Sequence, residues 1–491
     1  MKFGVCMIKR IFSFILALIQ TTALLVFKGT PTHIISVSEQ CAYQKFYGWG
    51  TSGAWWAQMV GNSKNDEWVA KYLFDKTDGL GLDIYRYNIG AGEKDNPNSR
   101  IGNANTKTES FYVLNKQTGK YEFDFSRDAN ARRMMDLALR YGAKQIILFC
   151  NSPHFSMTKS GQASGGLTSG VSNLPKENYQ EFVDYVLTIA DHFVAEGYPI
   201  TYISPINEPQ WGWGGDWVGQ EGCHYSADEA VALLELFAVT MQKRNTPYKL
   251  SAPETGDMSS AQFDYQQKIF DSKILNNYCD TFSGHSYWLD NNEKEKELAG
   301  IRFKLLFPNK QFDMTEWCEL PCTLDADSID SGLYMANVIV GDLTLLNAAS
   351  WQSWVAVNGY GYSNGKIISD GLLRANSDYS EIQFNKRYFA YRQFTGAIET
   401  GMKRIKVIDS LNSTNDMKDV AFSGNGKTVI VLVNNSDNAQ NIKILGDYTS
   451  VQIHITDAAD NYALSYSGAF NSSISLGGKS ITTLVLSRRA V

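Results

Sequence analysis

Two glutamates that follow apolar runs and lie beside tryptophans are the residues of this chain best suited to acid–base and nucleophilic chemistry. Glu208 comes just after the run 202–206 and three residues before Trp211, while Glu316 ends the run 311–316 and precedes Trp317. Cleavage of a glycosidic bond needs a proton for the leaving oxygen and a carboxylate at the sugar carbon, and aromatic rings stack on sugars. A single strand-end glutamate is more often a structural group held by arginine or backbone amides. Two with matched surroundings predict glycoside hydrolysis.

Eight short apolar runs that end in glycine, polar or aromatic residues predict the strands that position these side chains. They lie at 46–50, 82–88, 145–151, 201–207, 248–253, 281–287, 311–316 and 350–356. Helical patterns lie between most of them, at 128–141, 179–195 and 227–242. This alternation predicts an α/β fold, a (β/α)8 TIM barrel over roughly residues 45–394. Such barrels carry their chemistry at the carboxyl ends of the strands, where the polar and aromatic residues cluster here.

Glu254 and Asp313 compete with the pair, since each lies in or at the end of a predicted strand. Neither has the tryptophan neighbours that the pair shares. We interpret both as residues that support the reacting glutamates.

The two ends of the chain differ in composition from its centre. Residues 1–38 combine a basic start with the apolar run 11–27, which predicts a signal peptide and export to the periplasm, the cell surface or the medium. An uncleaved membrane anchor is the alternative. Val-, Ile- and Thr-rich segments after residue 395 predict an all-β sandwich over 395–491. The catalytic barrel would then occupy 39–394, although its first residues could join the β-module.

Composition excludes several classes of partner. A net charge of −6 and a pI near 5.6 argue against nucleic acid or an anionic membrane. With six histidines and no His-Glu-x-x-His motif, we expect no catalytic metal and no cofactor. The match of 48–53 to G-x-G-x-x-G lacks a preceding apolar strand, so we expect no nucleotide. Six cysteines beyond Cys6 leave disulfide pairing open. We expect a monomer that acts on a polysaccharide or oligosaccharide.

Several motifs, in the order of the predicted strands, make the chain resemble the family 30 glycoside hydrolases over nearly all of its mature length. They are Gly48-Trp49-Gly50-Thr51-Ser52, Arg86-Tyr87-Asn88, Asn151-Ser152-Pro153, Ser204-Pro205-Ile206-Asn207-Glu208-Pro209, His285-Ser286-Tyr287, Thr315-Glu316 and Lys386-Arg387-Tyr388-Phe389-Ala390. The resemblance implies a retaining mechanism in which Glu208 is the general acid/base and Glu316 is the nucleophile.

The resemblance also implies the residues that hold the sugar. Asn207 would bind the 2-hydroxyl, Trp354 would form the floor of the sugar site, and Glu316 would stay ionised near Arg86. His285 and Tyr287 would orient Glu316 or the sugar. The other predicted substrate contacts are Asn88, Trp211, Trp49 and Phe155, the last at a position where relatives often carry tryptophan.

Loop sequences at 49–57, 207–213 and 220–223 are most similar to the endo-β-1,6-galactanase branch of the family. The similarity implies endo cleavage of β-1,6-linked galactan, as in arabinogalactan side chains. Other branches cut β-1,6-glucan, glucuronoxylan or glucosylceramide. A non-catalytic sugar-binding protein on a degenerate barrel is a further alternative, but it would keep the aromatics and lose a carboxylate.

Overall fold

The computed structural model describes residues 32–410 and 416–488. They form two compact units. The first comprises Tyr47–Ala326 and Gly341–Asn385. The second comprises the described residues up to Phe46, Asp327–Val340, and those from Lys386 onward.

A closed barrel of eight strands is the centre of the first unit. In chain order the first to eighth barrel strands are Gly48–Ser52, Ile84–Asn88, Gln145–Phe149, Ile200–Ser204, Lys249–Thr255, Thr281–His285, Gln311–Glu316 and Ser350–Val355. Neighbouring strands are parallel throughout, and the eighth pairs with the first. The strands are almost entirely buried, which is why they appear as continuous apolar runs. The predicted (β/α)8 barrel is confirmed.

The barrel strands are connected by segments that carry the helices. Within the described ranges the α-helices are Trp56–Val60, Asp66–Phe74, Ala129–Tyr141, Tyr179–Ala195, Ala227–Arg244, Phe263–Asp271, Lys273–Tyr278, Glu293–Leu306, Ile329–Thr344 and Lys386–Thr395. Short 3₁₀ turns occupy Ala104–Thr106, Phe155–Met157, Lys176–Asn178 and Ser260–Gln262. The helix predicted at 179–195 has those bounds in the structure, and the one predicted at 128–141 begins one residue later.

The helix Ala227–Arg244 shows how local sequence sets an element. The Ser226 hydroxyl accepts from the Glu229 N–H at 3.3 Å, and the Glu229 carboxylate accepts from the Ser226 N–H at 2.9 Å. This capping box satisfies the first free N–H groups of the helix. Asn245 ends the helix in the left-handed conformation, at φ 51°. The helix therefore runs two residues beyond the predicted end at 242.

The barrel unit also contains three small sheets. A three-stranded sheet contains Val357–Gly359, Leu373–Ala375 and Ile382–Phe384, and two hairpins pair Gly361–Ser363 with Lys366–Ile368 and Tyr112–Asn115 with Lys120–Phe123.

A nine-stranded sheet forms the second unit, as the Val-, Ile- and Thr-rich sequence predicted. Its strands are His33–Lys45, Lys403–Asp409, Met417–Gly424, Lys427–Asn434, Gln440–Leu445, Ser450–Thr456, Ala463–Ala469, Ser473–Leu476 and Ser480–Ser487. Ile442 and Leu476 from one end of the strand order share a hydrophobic core with Ile453 and Leu486 from the other end. The sheet therefore curves so that its two halves pack together as a sandwich.

The strand His33–Lys45 lies inside this sheet. It pairs antiparallel with Lys403–Asp409 and parallel with Gln440–Leu445. The predicted signal peptide, residues 1–38, therefore overlaps the strand, and residues 1–31 lie outside the described residues. The predicted domain boundary after residue 394 falls within the helix Lys386–Thr395. The signal peptide, its cleavage site and the domain bounds stay predictions.

Two further findings concern the cysteines and the helices. Among residues 32–410 and 416–488, Cys41, Cys150, Cys223, Cys279, Cys318 and Cys322 form no disulfide with one another. Within the same ranges, the helices are too short or too polar to cross a lipid bilayer.

Candidate active site

Five side chains meet at the carboxyl end of the barrel. They are Arg86 in the second strand, Glu208 after the fourth, Glu254 in the fifth, His285 at the end of the sixth and Glu316 at the end of the seventh. We call them the glutamate cluster. All were singled out by their positions in the predicted strands.

The two predicted catalytic glutamates face each other closely. One oxygen of Glu208, one oxygen of Glu316 and one ring nitrogen of His285 lie within 4.8 Å of one another. Retaining glycosidases separate their carboxyl groups by about 5–5.5 Å, whereas inverting enzymes need about 6.5–9.5 Å to admit a water. An approach this close is compatible with the retaining spacing and leaves less room for an intervening water than an inverting pair needs.

Glu208 reaches this position through an unusual backbone. Its φ is 43°, a left-handed conformation that costs energy in a residue with a Cβ and that concentrates at functional sites. Three contacts hold it: the Glu208 N–H donates to the Glu254 carbonyl at 2.8 Å, and the Trp211 N–H and Trp213 Nε1 each donate to the Glu208 carbonyl at 2.9 Å. The fold thus maintains a strained turn that presents the Glu208 carboxyl.

Glu316 is buried and held from both sides. Tyr287 donates to Oε1 at 3.1 Å, and Arg86 donates to Oε2 at 3.3 Å. Arg86 also donates to the Thr315 carbonyl at 2.9 Å and lies 4.4 Å over the Phe149 ring. We expected Arg86 to keep Glu316 ionised. The contact is present, but burial raises the pKa of Glu316, and His285 and Arg86 offset that effect only in part.

Tyr287 can act only as a neutral donor to Glu316. Burial, together with the Cys318 thiol and the Glu316 carboxylate, raises the pKa of Tyr287 well above 10. Its hydroxyl therefore stays protonated across the physiological range.

His285 links all three glutamates of the cluster. Its Nδ1 lies 3.2 Å from Glu208 and 3.6 Å from Glu316, and its Nε2 lies 3.3 Å from Glu254. Burial alone would lower the pKa of His285, but Glu316, Glu208 and Glu254 outweigh it and raise the pKa to about 10. The imidazole is therefore positively charged at neutral pH.

Glu254 supports the pair from behind His285, where it is completely buried. It accepts from Ser204 at 3.0 Å and from Thr315. Burial would raise the pKa of Glu254, but Arg86, His285 and Thr315 together lower it to about 2. Glu254 is thus a permanent carboxylate.

The charges of the glutamate cluster balance when one glutamate carries a proton. Arg86 and protonated His285 supply two positive charges, and Glu254 neutralises one of them. One further carboxylate neutralises the other, so the cluster is neutral overall when one member of the Glu208–Glu316 pair carries a proton. A nucleophile and an acid side by side need that division of protons.

Replacing His285 by glutamine should remove a pH-dependent part of the stability. An unfolded histidine has a pKa of about 6.5, so a folded pKa of about 10 gives stabilisation that is complete below about pH 6.5 and is lost as pH rises through 10. We therefore expect the free-energy difference of unfolding between the unsubstituted protein and His285→Gln to be constant at acid pH and to shrink between about pH 6.5 and 10.

Urea unfolding at several pH values measures this difference. His192→Gln, at a part-exposed histidine on the helix Tyr179–Ala195, is the matched control. A free-energy difference that did not change with pH would contradict a protonated His285.

Three predicted sugar contacts are also near the cluster. Asn207 adjoins Glu208 and is 3% exposed, and its Oδ1 has no hydrogen-bond partner among the described residues. Asn88 Oδ1, at the end of the second strand, also has no hydrogen-bond partner among the described residues. Trp354 in the eighth strand packs edge-on against Phe149, the residue under Arg86, with ring centroids 6.1 Å apart. Buried polar atoms without partners are rare in folded proteins, so the two asparagines are suited to binding hydroxyl groups.

Phe155 and Trp49 lie in different surroundings. Phe155 packs with His154 and Tyr121 in a separate aromatic group. Trp49 is 1% exposed and precedes the carboxyl end of the first strand at Ser52 by three residues. Such deep burial favours a packing role for Trp49. Sugar contact by either residue stays a prediction.

Sequence reasoning missed two tryptophans and a buried ion pair. Trp288 stacks on Trp211, and Trp55 contacts Trp354 edge-on at 5.3 Å. Next to Ser286, which follows the sixth strand, Lys296 and Asp342 form an ion pair at 2.7 Å. Asp342 also accepts hydrogen bonds from Ser286 and Trp351. This network anchors the residue between His285 and Tyr287. Lys296 is one of several charged residues in the helix Glu293–Leu306, so the sequence gave no signal of this network.

Comparison with known proteins agrees with this geometry. A curated endo-β-1,6-galactanase of Hypocrea rufa is 25% identical over 416 residues, which cover 80% of this chain and 79% of that protein. An exo-β-1,6-galactobiohydrolase of Bifidobacterium longum is 26% identical over 231 residues, 35% of this chain and 15% of that protein.

Solved structures share the fold. A conserved exported protein from Bacteroides fragilis superposes with a TM-score of 0.81 at 23% identity, over 92% of this chain and 100% of that one. The catalytic domain of a xylanase C from Talaromyces cellulolyticus gives a TM-score of 0.70 at 19% identity, again over 92% and 100%. The model of O-glycosyl hydrolase family 30 matches residues 32–368, more than half of the sequence. The chain therefore belongs to glycoside hydrolase family 30, and it is a glycosidase.

Proposed function

We propose that this chain is an exported, retaining glycosidase that cleaves β-1,6-linked galactan at internal bonds. The observation that carries the mechanism is the approach of Glu208 and Glu316 oxygens within 4.8 Å at the carboxyl end of the barrel. The relative named endo-β-1,6-galactanase, aligned over 80% of the chain, supports the substrate. The apolar run 11–27 supports export.

In the first step Glu316 attacks the anomeric carbon while Glu208 gives its proton to the departing oxygen. We assign the nucleophile to Glu316 because Arg86 and Tyr287 fix both of its oxygens and because Arg86 and His285 both favour its ionised form. Glu208 has a 12% exposed side chain, which gives it access to the leaving group.

In the second step Glu208, now a carboxylate, takes a proton from water. The water oxygen bonds to the anomeric carbon, and the bond to Glu316 breaks. The positive charge of His285 next to both glutamates stabilises whichever of them is ionised at each stage.

The sugar would lie on Trp354, with its hydroxyl groups bonded to the unpartnered amide atoms. Asn207 Oδ1 is one acceptor, and both polar atoms of the Asn151 side chain are buried without a hydrogen-bond partner among the described residues. Hydrogen bonds to the 2-hydroxyl strengthen in the transition state of such reactions.

Reducing-sugar release with product lengths tests the proposal. The purified mature chain is offered debranched β-1,6-galactan beside β-1,6-glucan, glucuronoxylan and glucosylceramide, and the anomer first formed is followed by proton NMR. We expect galacto-oligomers, from galactan alone, with the β configuration retained. Activity on another of the four substrates would refute the galactan assignment and keep the mechanism, whereas an α product would refute the retaining mechanism.

A further inference from the structure

Two exposed tryptophans beside Glu208 form an apolar surface: Trp211, for which the family resemblance implies substrate contact, and Trp288, to which the reaction described above assigns no role. The rings of Trp211 and Trp288 are nearly parallel, with an interplanar angle of 5° and centroids 5.3 Å apart. They are 42% and 51% exposed, so their outer faces are open to solvent. Grouped exposed aromatic surface marks binding sites more often than single apolar residues do. We call these two residues the tryptophan pair.

The tryptophan pair is fixed to the acid/base glutamate. The Trp211 N–H donates to the Glu208 carbonyl at 2.9 Å. A Cβ added at Gly256 would lie 2.9 Å from Glu208 Oε1 and 3.1 Å from Cζ3 of Trp288. The glycine thus allows the ring edge of Trp288 to come close to the Glu208 carboxyl.

The backbone of Trp288 is itself unusual. Its φ is 59°, a left-handed conformation that is rare for a bulky side chain. Such strain persists where the surrounding structure enforces it, and it collects at functional sites. The fold therefore keeps this ring stacked and exposed at an energetic cost.

The nucleophile shares one aromatic neighbour with the tryptophan pair, because Tyr287 bonds Glu316 and its ring centroid lies 5.7 Å from that of Trp288. Its other aromatic neighbours are reached through Arg86. Arg86, which bonds Glu316, lies over Phe149, and Phe149 contacts Trp354. The nucleophile bonds to the sugar that stays on the enzyme, and the acid protonates the oxygen of the part that leaves. Aromatic rings beside Glu208 are therefore placed to meet the leaving part.

We propose that the tryptophan pair is the platform for the sugar on the leaving side of the scissile bond. The same surface then holds an acceptor sugar that captures the glycosyl-enzyme in place of water. In that transfer the acceptor hydroxyl gives its proton to Glu208, its oxygen bonds to the anomeric carbon, and the bond to Glu316 breaks to restore the carboxylate. This inference rests on the proposed glycosidase mechanism and extends it to a transfer activity.

Trp288→Ala tests the platform with two donors. β-Galactosyl fluoride carries no sugar on its leaving side, whereas β-1,6-galacto-oligosaccharides do. We expect kcat/KM on the oligosaccharides to fall about tenfold or more, and hydrolysis of the fluoride to change by less than about twofold. With β-1,6-galactobiose added as acceptor, the ratio of transfer to hydrolysis products from the fluoride should fall by a similar factor. Trp288→Phe should restore most of both losses.

Trp217→Ala is the matched control. Trp217 is 45% exposed in the same loop as Trp211, but it packs edge-on against Trp213. We expect it to leave both donors and the transfer ratio unchanged.

The outcomes separate the platform from the proposed function. Unchanged oligosaccharide kinetics and transfer ratio in Trp288→Ala would overturn the platform. An equal loss on the fluoride would overturn it too, because Trp288 would then act by holding Glu208. If β-glucosyl or β-xylosyl fluoride were the donor hydrolysed, only the galactan assignment would fail, and the test would be repeated with oligosaccharides of that sugar. An unsubstituted protein inactive on the oligosaccharides as well as on every glycosyl fluoride would contradict the proposed retaining mechanism and the platform with it.

Discussion

Glu316→Gln should reduce kcat on the natural glycan by about four orders of magnitude or more, because it removes the nucleophile of a two-step reaction. The amide has nearly the shape of the carboxylate, and its oxygen can still accept from Tyr287 or from Arg86. We therefore expect the folded structure to persist while turnover disappears. Initial rates of reducing-sugar release, with circular dichroism to check folding, measure both effects.

A second variant at this position identifies the chemical role. In Glu316→Ala, azide can enter from the nucleophile's side and displace the leaving group directly, so we expect it to restore turnover and to give an α-glycosyl azide. Asp313→Asn is the matched control. The sequence suggested that Asp313 supports the reacting glutamates, but in the structure this buried carboxyl on the same strand accepts from Thr281, Gln311 and Ser350. Loss of activity in Asp313→Asn equal to that in Glu316→Gln, or a β-azide product, would contradict the assignment.

Glu208→Ala should give the second largest loss, and the loss should depend on the leaving group. Turnover of the glycan should fall about a thousandfold, because a sugar oxygen needs the proton that Glu208 supplies. A glycosyl fluoride needs no such proton, so its first step should survive and the glycosyl-enzyme should accumulate. Mass spectrometry of the protein after reaction with the fluoride detects that species.

Azide again gives an independent test of the role of Glu208. As a nucleophile that needs no general base, it should release the accumulated glycosyl-enzyme of Glu208→Ala as a β-glycosyl azide. Asp216→Ala removes an exposed acid from the same loop and should leave the rates unchanged. Equal loss on glycan and fluoride, with no accumulated intermediate, would show that Glu208 is not the acid/base.

The barrel and the catalytic pair could be predicted because their signals are local. Each barrel strand is buried on both faces, so it appears as an apolar run, and its functional residue comes where the run ends. His285 and Glu316 end their strands, and Glu208 follows the end of the fourth strand by four residues. Parallel strands in a closed barrel bring those ends together, which makes proximity a consequence of topology.

Features that depend on tertiary contacts were beyond such reasoning. Trp288 lies three residues past the end of the sixth strand, and no local pattern shows that it stacks on Trp211. The protonation of the pair also depends on packing, since burial raises the pKa of Glu316 despite its contact with Arg86. The strand His33–Lys45 was assigned in part to a signal peptide, because its pairing partners lie near the other end of the chain.

That strand has a consequence for how the protein is made. His33 bonds Asp409 across a sequence separation of 376 residues, and the strand lies between two partners that are synthesised far later. Contacts of such separation form late, and a ribosome delivers the start of the chain first. The strand His33–Lys45 must therefore stay unpaired until residues 403–445, which contain both of its partners, have been synthesised. A product that stops before residue 403 would lack both partners of this strand, so this part of the sheet could not form.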